Sequence, residues 1–195
     1  EWAAGLPWSS GKVGTFGASY DGWTQWELAH TRPPHLVTMI AGGITANLLD
    51  RERSGVLRVG RVLFWTLNNL SVESARRLQH PWKAKTREAA ERLAIERDRL
   101  KRLWFLPLME IPDDAMPGMG HHWRNWLADH TTDFFRFSDK HRQVNVPVLS
   151  MTGWYDQQIN TINQFTGMVN NGQTDLARKS QRLIIGPWTH TLTDF

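Results

Sequence analysis

Three features are absent from this sequence, and the first two narrow the range of possible functions. The 195 residues contain no cysteine, which excludes disulfides, thiolate metal sites and a cysteine nucleophile. No run of about 18 uninterrupted apolar residues occurs, so the sequence predicts no membrane-spanning helix and no membrane partner. The chain begins at Glu1 without a methionine or a basic-then-apolar leader, and the compartment is therefore left open.

The net charge of +4 comes from one segment. Residues 83–102 contain eight basic and four acidic side chains, and the rest of the chain is balanced. A basic patch is typical of nucleic-acid binding, which is one alternative function. Because both signs are interspersed along a helical pattern, a solvated helix face explains the segment better. We therefore predict no nucleic-acid partner.

Tyrosine is scarce, with two residues, whereas tryptophan is abundant, with eleven. Large aromatic side chains fill cores, line pockets for aromatic or acyl groups, or stack on sugars. A non-catalytic binding module rich in aromatic residues is therefore a second alternative. Between residues 123 and 137 the alternatives for the aromatic side chains are the lining of a pocket and the core of a helical cap, and we predict the cap core: Trp123, Trp126, Phe134, Phe135 and Phe137.

Apolar runs and helical patterns at both ends of the chain predict an α/β fold with a mostly parallel sheet. The runs are nearly continuous, which is typical of strands covered by helices on both faces. The predicted strands are 13–16, 36–41, 144–152 and 182–185, and the predicted helices cover about 21–30 and 160–169.

The middle of the chain has little strand signal and predicts helices instead, at 57–70, 72–79 and 86–104. A long stretch of helix and loop between two sheet strands is an insertion. We predict a sheet core formed by residues 1–43 and 144–195, with a helical cap inserted at 44–143. Such a cap, placed over the carboxyl ends of the strands, would form one wall of a substrate pocket.

A sharp turn after the first strand carries the candidate nucleophile, Ser19. Residues 17–22 spell Gly-Ala-Ser-Tyr-Asp-Gly, which is close to the nucleophile elbow G-x-S-x-G with the second glycine one position late. An elbow strains the backbone of the serine and needs small neighbours. An ordinary glycine-rich turn is the alternative, whereas neither of the usual phosphate-binding glycine motifs can be written here.

Two later strands end in turns that deliver an ionisable residue, Asp156 and then His190. Serine hydrolysis needs a base and a carboxylate that orients it, and α/β-hydrolases supply them in the order Ser, Asp or Glu, His. His190 is the only histidine after Asp156. The acid is less restricted, because other aspartates also lie between the serine and the histidine, although none directly follows an evident strand: Asp50, Asp133, Asp139 and Asp175.

A cluster of histidines raises the possibility of a metal site. His121 and His122 are adjacent, so their side chains point in different directions, and His130 follows eight residues later. No carboxylate lies at a tight ligand spacing. We therefore predict no metal, and the proposed chemistry needs no organic cofactor.

Three segments together resemble the cocaine esterase and X-prolyl dipeptidyl-peptidase family of serine hydrolases. They are the elbow segment 11–22, the segment 146–156 with its Gly-Trp-Tyr-Asp turn, and the segment 182–190 that ends in Gly-Pro-Trp-Thr-His. The resemblance implies an α/β-hydrolase fold, Ser19 as nucleophile, Asp156 as the orienting acid and His190 as the general base. It also implies the backbone N–H of Tyr20 as one donor of the oxyanion hole.

The same resemblance implies a substrate that is a small ester, an amide or a short peptide. We expect Trp154 and Trp188, which flank the acid and the base, to contact it. Family members use an upstream tyrosine hydroxyl as a second oxyanion donor, but neither Tyr20 nor Tyr155 is placed for that role. We therefore expect this chain to be an internal piece of a longer enzyme, with an exposed apolar sheet face.

Overall fold

The computed structural model describes residues 1–47, 59–77, 104–129 and 136–190. The chain divides into two compact units. One, which we call the sheet unit, consists of residues 1–51 and 134–195, and the other, the helical unit, consists of residues 52–133. The predicted boundaries of core and cap lie at 43/44 and 143/144, so the sheet unit is longer than the predicted core by several residues at each junction.

The sheet unit contains four parallel strands in the spatial order β1-β2-β3-β4. The strands are Val13–Ala18 (β1), Leu36–Gly42 (β2), Val148–Gly153 (β3) and Arg182–Gly186 (β4). The predicted parallel α/β sheet is thus confirmed. The predicted start of β3 at Val144 is wrong, because Pro147 has no N–H for the ladder and the Val144 carbonyl instead accepts the Gln173 N–H at 2.9 Å.

Helices connect these strands and form the helical unit. In chain order the α-helices of the described ranges are α1 (Tyr20–Ala29), α2 (Val59–Trp65), α3 (Ser71–Arg77), α4 (Gly120–Ala128), α5 (Thr161–Asn171) and α6 (Asp175–Lys179). A π-helical turn, Thr66–Leu70, joins α2 to α3, and short 3-10 turns occupy Trp2–Gly5, Leu108–Glu110, Asp113–Ala115 and Ser138–Gln143. Within these ranges no helix has the length and apolarity that crossing a membrane requires.

The core of the sheet unit lies on the face of the sheet covered by α1. Trp26 and Met39 are almost completely buried there. Phe137 joins them, with ring centroids 5.3 Å from Trp26 and 6.1 Å from Trp23. Phe137 therefore fills a core as predicted, but the core is that of the sheet unit and not that of the predicted cap. Phe134 and Phe135 lie outside the described residues.

The opposite face of the sheet carries exposed apolar side chains. Phe16 on β1 is 84% exposed, and it neighbours Ile40 of β2, which is also exposed. Ile184 on β4 is exposed as well. The exposed apolar sheet face expected from the sequence is present.

Several apolar side chains of the helical unit are buried. Leu63, Leu67 and Val72 are buried along the continuous helical run 59–77. Trp123 and Trp126 on α4 are buried as predicted, and the Trp123 indole donates a hydrogen bond of 2.9 Å to the Leu108 carbonyl. The predicted helix 86–104 and the basic segment 83–102 lie outside the described residues, apart from Trp104.

One histidine, His141, is buried in the core of the sheet unit. Its ring lies 5.5 Å from the Phe137 ring and 6.2 Å from the Trp26 ring, and its Nε2 is 2.6 Å from Gln164 Oε1. Burial lowers the pKa of His141 below its ordinary value of 6.5, and a hydrogen bond with Gln164 opposes this shift only in part. His141 is therefore a neutral part of the core.

Acid is expected to destabilise the sheet unit through His141. The native state binds fewer protons at this site than the unfolded state, so stability falls as the pH drops below about 6.5. One proton gives a slope of at most about 1.4 kcal/mol per pH unit. Urea unfolding of the intact protein at pH 7.5 and 5.5 measures how the free energy of unfolding changes with pH. His141→Gln should reduce this change. His122→Gln, a substitution at an exposed histidine, should leave it unaltered. Equal slopes for wild type and His141→Gln would refute this assignment.

Candidate active site

Ser19 lies in a strained turn between β1 and α1. Its φ of 56° and ψ of −122° place a non-glycine residue in a region that costs about 1–3 kcal/mol. The Ser19 N–H donates to the Gly42 carbonyl at 2.8 Å, which anchors the turn to the end of β2. The predicted elbow is therefore present in the backbone.

The two glycines of the elbow are explained by close contacts. A Cβ at Gly17 would lie 2.7 Å from Asp21 Cβ, and a Cβ at Gly22 would lie 3.0 Å from the Gly42 carbonyl oxygen. Gly22 stands one position late because it is the residue of α1 that faces the end of β2. The departure from G-x-S-x-G thus follows from how this helix packs on the sheet.

Gln25, which the sequence did not indicate as a site residue, stabilises the elbow through hydrogen bonds. It is buried, and its Nε2 donates to the carbonyls of Gly17 at 3.2 Å and Asp21 at 3.1 Å. Its Oε1 accepts from Thr15 Oγ1 at 2.8 Å. The only sign of this role in the sequence is a polar residue, Gln25, on the apolar face of a predicted helix.

The turns that carry Asp156 and His190 are joined to each other. The Trp154 N–H donates to the Gly186 carbonyl at 2.9 Å, and the Tyr155 N–H donates to the Trp188 carbonyl at 3.2 Å. These bonds extend the pairing of β3 with β4 past the ends of the strands. They fix the acid-bearing turn relative to the histidine-bearing turn.

The three side chains predicted from the sequence form one hydrogen-bonded chain. His190 Nδ1 lies 2.9 Å from Asp156 Oδ1, and His190 Nε2 lies 2.9 Å from Ser19 Oγ. With its proton on Nδ1, the imidazole donates to the carboxylate and accepts from the serine hydroxyl. This arrangement can remove a proton from Ser19 and hold the resulting positive charge.

The carboxylate of Asp156 is buried and only partly hydrogen-bonded. Its side chain has no exposed surface, and its Oδ1 also accepts the Gln158 N–H at 2.7 Å. The Gln158 carbonyl is held in turn by the hydroxyls of Thr152 and Thr161, at 3.2 and 2.7 Å. In the described part of the chain, Asp156 Oδ2 has no hydrogen-bond partner. Its negative charge is therefore available to stabilise an imidazolium at His190.

The alternative acids are placed elsewhere. Asp139 is exposed and forms an ion pair of 3.2 Å with Arg136. Asp175 forms ion pairs with Arg178 and Lys179, whose hydrogen bonds lower the pKa of its carboxyl. Asp50 and Asp133 lie outside the described residues. Of the described aspartates, Asp156 is the one hydrogen-bonded to His190.

The remaining predicted site residues occupy different environments. Tyr20 is the first residue of α1, so its N–H belongs to the helix end that favours negative charge. Trp154 is 62% exposed. The ring of Trp188 lies against the backbone of Gly186, where any Cβ would overlap it. Trp188 therefore helps to pack the histidine-bearing turn, and contact of either tryptophan with substrate stays a prediction.

Two of the three histidines considered for a metal site, His121 and His122, lie in the described part of the chain. In the ranges described, no group of three or more His, Cys, Asp or Glu side chains is placed to hold a metal ion. His121 Nε2 instead lies 2.8 Å from Asn125 Nδ2 on the next turn of α4. His130 lies outside the described residues.

Comparison with known proteins places these observations in a family. A family model described as X-Pro dipeptidyl-peptidase (S15 family) matches residues 1–192. Cocaine esterase from Rhodococcus sp. (strain MB1 Bresler) is 25% identical in an alignment 206 residues long that covers 97% of this chain and 33% of the esterase. The chain thus spans about a third of the length of this curated relative.

Two solved structures are similar in outline. A CocE/NonD family hydrolase from Staphylococcus aureus is 20% identical with a TM-score of 0.46, and the match covers 95% of this chain and 26% of the hydrolase. Proline iminopeptidase from Mycobacterium smegmatis is 16% identical with a TM-score of 0.42, covering 90% of this chain and 57% of the peptidase.

Proposed function

The chain belongs to the X-Pro dipeptidyl-peptidase S15 family, and on this basis we propose that it carries the catalytic triad of a serine hydrolase. Ser19 is the nucleophile, His190 the general base and Asp156 the orienting acid. The observation that carries the proposal is the continuous contact from Asp156 Oδ1 through the His190 ring to Ser19 Oγ, with 2.9 Å at each step. The sheet around it is part of an α/β-hydrolase fold.

The proposed reaction passes through an acyl-enzyme. Ser19 Oγ attacks the substrate carbonyl carbon while His190 Nε2 takes the hydroxyl proton. His190 then gives this proton to the leaving alcohol or amine, and the acyl group stays on Ser19. A water molecule, deprotonated by His190, attacks the acyl carbon, and His190 then returns the proton to Ser19 Oγ as the bond to the acyl group breaks and the acid leaves. Asp156 stabilises the imidazolium during both transfers.

Tyr20 contributes through its backbone. The N–H of Tyr20, the first residue of α1, follows Ser19 directly in the chain. It lies at the end of the helix whose dipole favours an oxyanion. The strained backbone of Ser19 projects the hydroxyl and this N–H from the same turn. We assign Tyr20 N–H as one oxyanion donor and assign no second donor to this chain.

The proposed substrates follow from the names of the relatives. Cocaine esterase cleaves an ester, as its name states, and the family is named for peptidases that act at X-Pro. The same acyl transfer serves both bonds. We therefore propose a small ester, an amide or a short peptide as the substrate class.

The intermediate provides the test. We expect the intact protein, mixed with a p-nitrophenyl ester, to release a burst of about one p-nitrophenol per site before the steady state. Acid quenching and mass spectrometry should then find the acyl group on Ser19. A parallel assay with an X-Pro p-nitroanilide compares the peptide substrate with the ester. Absence of any acyl adduct would refute the proposal, and sugar binding by such a protein would favour the aromatic binding module.

A further inference from the structure

The last residue of β2 and the residue after it, Gly43, are hydrogen-bonded to the turn that carries Ser19 and to β3, the strand that precedes Asp156. The Gly42 carbonyl accepts the Ser19 N–H at 2.8 Å. The Gly43 N–H donates to the Met151 carbonyl at 2.8 Å, on the strand that leads to Asp156. In the sequence these two glycines directly follow the predicted strand 36–41.

Gly43 lies directly against the acid and the base. Its φ is +53°, and a Cβ at this position would lie 3.2 Å from Asp156 Oδ2. The same Cβ would lie 3.4 Å from both Cε1 and Nδ1 of His190. Because Gly43 has no side chain, both the carboxylate and the imidazole can pack closely against its Cα.

We propose that Gly43 is a positioning residue for the Asp156 and His190 pair, an inference that rests on the proposed function. Both hydrogen bonds of the carboxylate go to Oδ1, and Oδ2 has no hydrogen-bond partner among the described residues. The orientation of the carboxylate about its Cβ–Cγ bond therefore depends on what packs against Oδ2. Gly43 provides that packing surface.

The steric effect of a side chain at position 43 would reach the reacting atoms. The Asp156 side chain has no exposed surface, whereas the His190 side chain is 32% exposed and has room to move outward. The imidazole is therefore the group that yields when a methyl group is added at Gly43. Its displacement lengthens the distance from Nε2 to Ser19 Oγ, and misplacement of a base lowers the rate of the chemical step.

Gly43→Ala in the intact protein tests this inference. We expect the rate of Ser19 acylation and kcat to fall by about 10- to 100-fold while KM stays within about twofold. Gly11→Ala is the matched control, because Gly11 also has a positive φ, +79°, but among the described residues no atom beyond its immediate chain neighbours lies within 4 Å of its added Cβ. That variant has the same kind of backbone strain without the contact, and it should keep its activity.

Gly43→Asn separates strain from contact. Asparagine tolerates a positive φ better than alanine, yet it still places a Cβ beside Asp156 and His190, so we expect at least the loss seen with alanine. It also serves if the alanine variant does not fold. Recovery of wild-type kcat in Gly43→Asn, or equal losses in Gly43→Ala and Gly11→Ala, would overturn the positioning role while wild type still acylates Ser19. Absence of Ser19 acylation in wild type would overturn the proposed function and this inference together.

Discussion

Ser19→Ala is expected to lower kcat for ester hydrolysis by on the order of 10⁶-fold. The substitution removes one oxygen, and with it the atom that attacks the carbonyl and the partner of His190 Nε2 at 2.9 Å. Alanine adds no bulk to the turn. The loss is therefore one of chemistry, and the measurement is steady-state hydrolysis of a p-nitrophenyl ester by the intact protein.

Ser10→Ala is the control for this prediction. Ser10 is an exposed serine just before β1, so its replacement removes a hydroxyl from the same unit without touching the elbow. We expect its kcat to match that of wild type. An Ser19→Ala protein that keeps kcat within tenfold of wild type would show that the hydrolysis takes place elsewhere.

Asp156→Asn is expected to lower kcat by about 10⁴-fold. Asparagine has the same shape, and with its oxygen in the Oδ1 position it retains the hydrogen bonds with His190 and the Gln158 N–H. What it removes is the buried negative charge that stabilises the imidazolium. It also places an amide group at Oδ2, where the aspartate has no hydrogen-bond partner in the described structure.

Asp139→Asn separates this effect from a general loss of charge. Asp139 is exposed and paired with Arg136 at 3.2 Å, and surface pairs contribute little to stability. The kcat of this variant, measured with the same ester, should equal that of wild type. Similar kcat values for the two asparagine variants would remove Asp156 from the mechanism.

The parts of the site that the sequence predicts are those with local requirements. The elbow is visible because a strained serine needs small residues beside it, and Gly17 and Gly22 supply them. His190 is visible because no other histidine follows Asp156 and because a strand precedes it. Asp156 is favoured in the sequence only because a strand precedes it. The hydrogen bond to His190 is what distinguishes it from Asp139 and Asp175.

The supporting residues depend on contacts between distant parts of the chain, which no local pattern specifies. Gly43 resembles any glycine at the end of a strand until Asp156 and His190 are placed beside it. The ring of Trp188 lies against the backbone of Gly186, a contact that the sequence does not show. The role of each is set by the order of strands in the sheet.

The boundary between the two units also cannot be predicted from local sequence patterns. Phe137 and His141 follow a long helical region and were therefore predicted to belong to the cap. In the structure they contact Trp26 of α1, so they belong to the sheet unit. Hydrophobicity predicts that a side chain is buried, but it does not predict which of two cores buries it.

The rate at which a fluorophosphonate phosphonylates Ser19 is the most direct test of the account, because it requires the serine and the histidine to act together. Mass spectrometry of the intact protein and of its peptides measures this rate in wild type and in His190→Ala. We predict a single adduct on Ser19 in wild type and a loss of at least about 1000-fold in rate in His190→Ala. An adduct on another residue, or equal rates in the two proteins, would contradict the central claim.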